Sequence, residues 1–348
     1  MVERAFTARS PSATVDIEDK VAFLRQASAY PDHPHAVEVV ETHMSWVFLT
    51  DRLVYKMKKP VRYDFLDFST LQRRRHDCEE EVRLNRRLAA DIYLGVVPLT
   101  RERDNRLALA GNGEPVEWLV KMVRLPADRM LDRMIEAHTA GDAEVERFAG
   151  ILADFYKRAA PVPMSGESYR QRFEEAIHTH HQQLRAQGYE LAAAETVSAG
   201  LLAFLARKPQ LLDARARQQR IVEAHGDLRP EHVCLIEPPV FIDCLEFNRA
   251  FRLLDPADEL AFLAMECERA GAAFIADVLF ETYTRTVGDR PEPLLVCFYK
   301  AFRAQLRAAL SIAHIGDHPR GPPSKWIEQT AAYLRLALEY LGRCRMVG

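Results

Sequence analysis

The first third of the chain alternates between apolar and polar residues in the way that β-strands do. Three strand-like runs follow one another, at residues 36–42, 45–50 and 53–58. In the third run Tyr55 and Met57 fall on one face, and Lys56 and Lys58 fall on the other, because side chains alternate across a strand. The second and third runs are separated by two residues, which predicts a tight hairpin.

A charged segment at residues 69–90, with apolar residues at helical spacing, predicts one long helix with Ser69 as its N-cap. Three further strand-like runs follow it, at 94–100, 106–110 and 116–123. A short helix over 17–29, capped by Asp16, precedes the whole set. The predicted order is therefore β-β-β-α-β-β-β after a lead-in helix, with residues 1–14 as a flexible lead-in.

The pattern changes near Pro126, after which helical spacing predominates. The predicted helices lie at 129–139, 143–160, 169–187, 191–207, parts of 210–223, and from 256 to about 343. Two short apolar runs interrupt them, one before Asp227 and one around Asp243. The change divides the chain into a β-rich region at 1–123 and a helical region at 124–348.

Composition narrows the class of protein. The 348 residues carry a formal net charge of −3, which argues against a nucleic-acid partner. Six scattered cysteines without a CxxC pair indicate a reduced, cytoplasmic protein. No apolar run approaches the roughly 20 residues of a membrane span, so we expect no membrane partner. No pattern specifies an oligomeric state.

The segment 221–233 contains the triplet His225-Gly226-Asp227, and the apolar run 240–247 contains Asp243. Each carboxylate lies at the rim of a short strand-like run. Phosphoryl transfer needs two such acids, one to orient the attacking hydroxyl and one to hold the magnesium ion that bridges the phosphates of ATP. An acid inside an apolar run is costly unless it is paired or bound to a metal, and magnesium prefers carboxylate and phosphate oxygens.

The word HGDLxPxx, followed by a strand of the form φφDxxE, resembles the catalytic loop and metal-binding strand of the aminoglycoside phosphotransferase family. The segments 41–48 and 65–71 resemble an uncharacterised bacterial branch of that family. The resemblance implies an α+β, bilobal protein-kinase-like fold. Its N-lobe, residues 1–123, would be a small antiparallel β-sheet with one long helix that binds the nucleotide. Its larger, mostly helical C-lobe, residues 124–348, would carry the catalytic loop and the substrate site, with ATP and Mg²⁺ as cofactors.

The resemblance assigns roles in the loop. Asp227 would be the catalytic base, His225 would brace the loop, and Arg229 would neutralise the transferring phosphoryl group. Asp243 would bind the metal. His232 stands where the family has the asparagine that holds a second magnesium ion. It could ligate a metal weakly, bind phosphate, or mark a degraded second metal site, because imidazole suits transition metals better than magnesium.

In the N-lobe, Lys56 is the candidate for binding the nucleotide phosphates, with Lys58 as its rival. Glu81 is the expected partner of the lysine, although Glu79 and Glu80 remain open alternatives.

The turn at residues 41–45 lacks glycine, so the hydroxyl groups of Thr42 and Ser45 could replace a glycine-rich loop over the phosphates. Residues 119–122, and Val120 and Met122 among them, would offer backbone groups to adenine. Glu246 and Arg303 are weaker candidates for contacts with the substrate.

The sequence thus predicts a phosphotransferase that moves the γ-phosphate of ATP to a hydroxyl of a small molecule. One alternative is a regulatory pseudokinase that binds ATP without catalysis. Another is a kinase-fold enzyme that modifies a protein by transferring phosphate or AMP.

Overall fold

The structure is a computed structural model that describes residues 15–63, 66–186, 188–189, 191–317 and 323–346. The lead-in predicted for residues 1–14 lies outside the described residues. The chain divides into two compact units, and the division falls after Arg124. No helix in the described ranges is both long and apolar enough to cross a membrane.

The first unit is built on one antiparallel sheet of six strands. Its strands are β1 (Glu38–Glu41), β2 (Ser45–Leu49), β3 (Leu53–Lys58), β6 (Tyr93–Arg101), β7 (Leu107–Leu109) and β8 (Glu114–Val123), and a separate two-stranded ribbon joins β4 (Arg62–Tyr63) to β5 (Leu66–Asp67). The order in the sheet is β1-β2-β3-β8-β6-β7. The predicted order of strands and helix is confirmed.

One face of this sheet forms the apolar core of the unit. Tyr55 and Met57 of β3 are buried there with Leu24, which comes from helix α1 (Ile17–Leu24). Asp16 caps that helix, accepting a hydrogen bond from the amide of Ile17 at 2.6 Å. The alternation of apolar residues along β3 therefore has a direct cause, since every second side chain meets this core.

Helix α2 (Leu71–Asn85) begins one residue later and ends earlier than predicted. Its N-cap is Thr70, whose hydroxyl accepts a hydrogen bond from the amide of Arg73 at 3.2 Å. Ser69, the predicted cap, instead donates its hydroxyl to Asp67 at 2.6 Å. Two neighbouring hydroxyl residues compete for the same role, and only the backbone conformation decides between them.

Buried charges join both helices to the sheet. Glu117 of β8 is fully buried and accepts hydrogen bonds from Lys20 of α1 at 2.9 Å and from both ends of the Arg74 guanidinium of α2 at 2.8 Å. Removing one partner of such a group costs about 3–5 kcal/mol. This pairing explains how a helix with as few apolar residues as α2 still packs against the sheet.

The second unit is mainly helical. Its helices are α3 (Leu131–Glu136), α4 (Asp142–Arg158), α5 (Gly166–Ala186), α6 (Ala192–Arg207), α7 (Pro209–Arg217), α8 (Pro256–Arg269), α9 (Phe274–Val287), α10 (Pro293–Asp317) and α11 (Pro323–Met346). Helix α8 is buried along almost its whole length. Its first turn faces the segment that carries the predicted catalytic residues.

Four short strands of the second unit form two antiparallel ribbons. They are β9 (Val222–Glu223), which pairs with β12 (Leu253–Leu254), and β10 (Val233–Cys234), which pairs with β11 (Val240–Phe241). The predicted catalytic loop leaves the first ribbon and enters the second. A mixed α+β architecture with a sheet-based first unit and a helical second unit is thereby confirmed.

Candidate active site

Glu259, in the first turn of α8, anchors the loop at residues 224–229. Its carboxylate accepts hydrogen bonds from the backbone amides of His225 at 3.0 Å and Gly226 at 2.6 Å. The hydroxyl of Tyr156 donates to the same carboxylate at 2.7 Å. Glu259 is buried, so these three donors supply the compensation that a buried carboxylate requires.

The His225 ring ties the loop to the segment after β11. Its Nε2 lies 2.9 Å from the carbonyl oxygen of Ile242, which can only accept, so Nε2 carries the proton. Its Nδ1 then accepts the amide of Asp227 at 3.4 Å. Burial lowers the pKa of His225 below its ordinary value, in agreement with a neutral ring. The side chain therefore fixes the backbone on both sides of Gly226.

Gly226 is required by its surroundings. It has a φ of +93°, and a Cβ there would lie 3.1 Å from side-chain atoms of both Leu245 and Arg252. Glycine is the residue that adopts such a conformation without a steric penalty. The triplet is thus more than a turn, since its glycine lets the loop pack closely against the segment that follows Asp243.

Asp227 follows directly, and Arg229 holds its carboxylate from one side. The Nε and Nη2 atoms of Arg229 lie 3.0 Å from Oδ1 and Oδ2 respectively. Burial alone would raise the pKa of Asp227, but the Arg229 guanidinium and then His232 outweigh it and hold that pKa below its ordinary value. Asp227 is therefore ionised at neutral pH.

Arg229 also donates to Glu231, two residues further on. Although burial would lower it, the pKa of Arg229 is raised by Asp227 and Glu231, so the guanidinium keeps its charge. Three residues of one short segment thus form a compact charge cluster.

Asp243 lies just beyond β11 with a left-handed backbone, at a φ of +59°. Such a conformation is uncommon for a residue other than glycine, and Asp is among those that tolerate it. Its side chain is 47% exposed, and its Oδ2 lies 3.6 Å from Nε2 of His232. His232 in turn contacts the carbonyl oxygen of Asp227 through Nδ1 at 2.7 Å. One ring therefore links the two carboxylate residues.

The donors around this loop fit one magnesium ion better than two. The Asp243 carboxylate is exposed enough to bind a hard cation together with phosphate oxygens. The imidazole of His232 is a softer ligand and does not suit magnesium. Among the residues that the structure describes, no three His, Cys, Asp or Glu side chains converge as a metal site of their own.

In the first unit, both candidate lysines contact Glu81. Lys56 Nζ lies 2.9 Å from Oε1 of Glu81, and Lys58 Nζ lies 2.8 Å from Oε2. The Lys58 side chain is fully buried beside the Phe68 ring, whereas that of Lys56 is 17% exposed. Of the two lysines, only Lys56 is therefore partly open to solvent, while Lys58 is enclosed against Glu81.

The two alternatives to Glu81 point elsewhere. Glu79 pairs with Arg75 at 2.9 Å, and Glu80 pairs with Arg83 at 2.7 Å, both along the surface of α2. Adjacent helical positions differ by about 100° in direction, so only one of the three acids can face β3.

The other predicted nucleotide contacts are already engaged within the unit. The Thr42 hydroxyl accepts the amide of Ser45 at 2.9 Å and closes the β1–β2 turn, while Ser45 is buried. Val120 and Met122 lie inside β8, which pairs with β3 on one side and β6 on the other. Their backbone groups belong to the ladder, which limits what they can offer to adenine.

Arg303 does not have the substrate-facing position that was predicted. It is 5% exposed, and its guanidinium forms two hydrogen bonds with Asp258, at 2.7 and 2.6 Å. It is a buried structural cation, because a desolvated guanidinium needs a carboxylate partner. Glu246 is half-buried, and its backbone carbonyl accepts a hydrogen bond from Arg252 at 3.0 Å.

The predicted site residues do not include Glu259 or Tyr156, which the structure adds to the loop. Glu259 had one visible signal, since it directly follows Asp258 and forms an acidic pair with it in the first turn of a helix that is apolar over its next residues. A buried acid requires hydrogen-bond donors, and two of the donors to Glu259 are backbone amides of the loop. Tyr156 lies on α4, about a hundred residues away, and had no signal of its own.

The chain has the protein-kinase-like fold. A choline/ethanolamine kinase family protein from Mesorhizobium loti matches with a TM-score of 0.52 at 15% identity, covering 94% of this chain and 99% of that one. A choline kinase from Cryptosporidium parvum matches with a TM-score of 0.55 at 10% identity, covering 93% and 96%. At such identities the likeness shows the fold alone.

An aminoglycoside phosphotransferase from Alicyclobacillus acidocaldarius overlays less closely, with a TM-score of 0.45 at 13% identity over 99% of this chain and 97% of that one. The two kinases with TM-scores above 0.5 confirm the protein-kinase-like fold that the sequence resemblance implied. No protein-family model matches the chain.

In sequence, the chain is similar to uncharacterised proteins of Mycobacterium tuberculosis and Mycobacterium bovis. Each is 32% identical to it over 280 residues, which is 78% of this chain and 54% of the relative. The chain spans about half the length of the curated relatives that it matches.

Proposed function

We propose that this protein is an ATP-dependent phosphotransferase that moves the γ-phosphate to a hydroxyl group of a small molecule. The observation that carries the proposal is the loop at 224–229, in which buried Glu259 fixes the backbone and leaves the ionised Asp227 linked through His232 to Asp243. Transfer of a phosphoryl group depends mainly on such fixed positioning and on charge stabilisation.

Each residue then has a role that its contacts support. Asp227 orients the acceptor hydroxyl and takes its proton, because it is an ionised carboxylate on a fixed loop. Asp243 would hold a magnesium ion, which would supply positive charge against the phosphates of the nucleotide when bound. Lys56, steadied by Glu81, pairs with the phosphates of the nucleotide.

Replacing the base tests the proposal. Asp227→Asn should abolish phosphate release and transfer on a panel of hydroxylated small molecules while ATP binding, measured by calorimetry, persists. Asp277→Asn, on the exposed surface of α9, is the matched control and should retain full turnover. If the Asp227→Asn variant kept its turnover, Asp227 would not be the catalytic base.

A regulatory, non-catalytic role is the second candidate. Its supporting observation is the double contact of Arg229, which engages both oxygens of the Asp227 carboxylate. ATP binding without transfer to any acceptor would favour it. Measuring the intact mass of a protein acceptor after incubation with ATP tests for transfer to protein. Transfer of phosphate adds about 80 Da and transfer of AMP adds about 329 Da.

A further inference from the structure

The protonation of the His232 ring follows from its contacts. Its Nδ1 lies 2.7 Å from the backbone carbonyl oxygen of Asp227, and a carbonyl oxygen only accepts hydrogen bonds. Nδ1 therefore carries a hydrogen. In the neutral ring the single lone pair that could bind a metal is then on Nε2.

That lone pair is already engaged by a cation of the protein itself. Nη2 of Arg229 lies 3.3 Å from Nε2 of His232, and a guanidinium group has donors but no acceptor. Nε2 consequently accepts a hydrogen bond from Arg229, because the carboxylate oxygen of Asp243 lies 3.6 Å from that nitrogen, which is beyond hydrogen-bond range. The same Nη2 atom uses its other hydrogen toward Oδ2 of Asp227 at 3.0 Å.

The guanidinium thus bridges the carboxylate of Asp227 and the one ring nitrogen that could ligate a metal at position 232. It is held there on a third side by Glu231, and its side chain is only 16% exposed. A divalent cation on His232 would have to break this hydrogen bond and would face a fixed positive charge beside it.

We propose that Arg229 takes the place of a second divalent cation, so that this protein binds its nucleotide with one metal ion, at Asp243. The inference rests on the proposed function and deepens it. This proposal explains two features together. His232 stands where the resembled family has an asparagine oxygen, and Arg229 bridges His232 and Asp227. Because the lone pair of His232 already accepts a hydrogen bond from Arg229, this residue does not have to be a magnesium ligand.

Counting metal ions tests this directly. Electron paramagnetic resonance titration of Mn²⁺ into the full chain with a non-hydrolysable ATP analogue should give one ion per protein. Pulsed measurements should show no coupling to an imidazole nitrogen. In Arg229→Ala the lone pair of His232 is released, so a second ion with imidazole coupling is expected. Arg229→Ala combined with His232→Ala should return the count to one.

Arg285→Ala, which removes an exposed arginine from α9, is the matched control and should leave the count at one. Two ions in the unaltered protein, or imidazole coupling of its single ion, would overturn the inference while leaving the proposed function intact. A single ion in a folded Arg229→Ala variant would also overturn it. No bound ion at all would remove both the inference and the proposed function.

Discussion

The hydrogen bonds from the loop to Glu259 predict that a nearly isosteric change, Glu259→Gln, will disturb catalysis from a distance. The carboxylate accepts three donors, at 3.0, 2.6 and 2.7 Å. A glutamine keeps one acceptor oxygen and turns an amino group toward the remaining donor. If the glutamine oxygen occupies the position of Oε2, it still accepts hydrogen bonds from His225 and Tyr156. The glutamine NH2 group then faces the backbone amide of Gly226, so that two donors meet.

The size of the effect follows from these contacts. A hydrogen bond to a charged group contributes about 1.5–3 kcal/mol, and an unpaired buried amide costs about 1–3 kcal/mol. We expect a loss of about 2–3 kcal/mol, which lowers Tm by about 5–10 °C for a unit of this size. Displacement of Asp227 should lower kcat by about 10- to 100-fold, since small misplacements of reacting groups are costly.

The assay combines thermal unfolding, kcat and amide hydrogen exchange of the peptide that covers residues 222–229. Exchange in that peptide should accelerate in Glu259→Gln, because the loop loses its anchor. Tyr156→Phe is the matched control: it removes one donor from Glu259 but keeps both backbone contacts, so kcat and loop exchange should stay near their original values. Unchanged exchange in Glu259→Gln, despite a lower Tm, would refute the anchoring role.

Three further predictions concern other parts of the molecule. Lys56→Met should lower kcat and raise KM for ATP with little change in Tm, whereas Lys58→Met should destabilise the protein by about 1–3 kcal/mol, because its side chain is fully buried against Glu81. Burial lowers the pKa of His180 to about 4. Since the unfolded chain binds that proton near pH 6.5, the free energy of unfolding should fall as the pH drops from about 6.5 to about 4, and His180→Leu should remove up to about 3 kcal/mol of this fall in denaturant titrations. A hydrogen bond from Cys344 lowers the pKa of Cys297 to about 7, so peptide mass mapping should find Cys297 alkylated first at neutral pH.

Each has a result that would contradict it. Equal loss of Tm in both lysine variants would show that burial does not separate their roles. An unchanged pH dependence in His180→Leu would mean that the pKa of His180 is the same in the folded and the unfolded chain. Faster alkylation of a buried cysteine such as Cys78, or no slowing of Cys297 in Cys344→Ala, would exclude thiolate stabilisation by the neighbouring thiol.

The order of strands and helices could be predicted from the sequence because its signals are local. Period two in β3 arises from a core face and a charged face on the same strand, and both are visible in six consecutive residues. The helices between residues 129 and 217 were located within a few residues for the same reason. The stretch from 256 to about 343 was predicted to be helical but was not divided into α8, α9, α10 and α11. The ends of α2 were not located as closely, since its buried face mixes Arg74, Glu81 and Asn85 with apolar residues, which weakens the helical pattern.

Contacts within the site depend on partners that are remote in sequence. Glu259 meets residues more than thirty positions earlier, and Arg303 meets an acid 45 positions earlier. Helical spacing shows that Arg303 shares a face with its neighbours but does not show whether that face is covered. A charged side chain therefore looks the same in the sequence whether it binds a substrate or holds two helices together.

The loop around Arg229 illustrates the same difficulty at short range. Sequence distance places Arg229, Glu231 and His232 together, yet their roles depend on hydrogen-bond directions. The choice among the three interpretations of His232 becomes definite only when the partner of each ring nitrogen is known.

At Asp243 the left-handed backbone and the carboxylate side chain place different demands on the residue. The backbone can be kept by residues that lack the carboxylate. Glycine and asparagine adopt that conformation at low cost, so Asp243→Gly and Asp243→Asn should both preserve the path of the chain. Each of these changes needs only a single base substitution in an aspartate codon. A gene duplicate could therefore lose the carboxylate that we propose as the metal ligand in one mutational step and still encode a folded protein. If the proposed function holds, this position gives natural selection a short path to a non-catalytic descendant of the same shape.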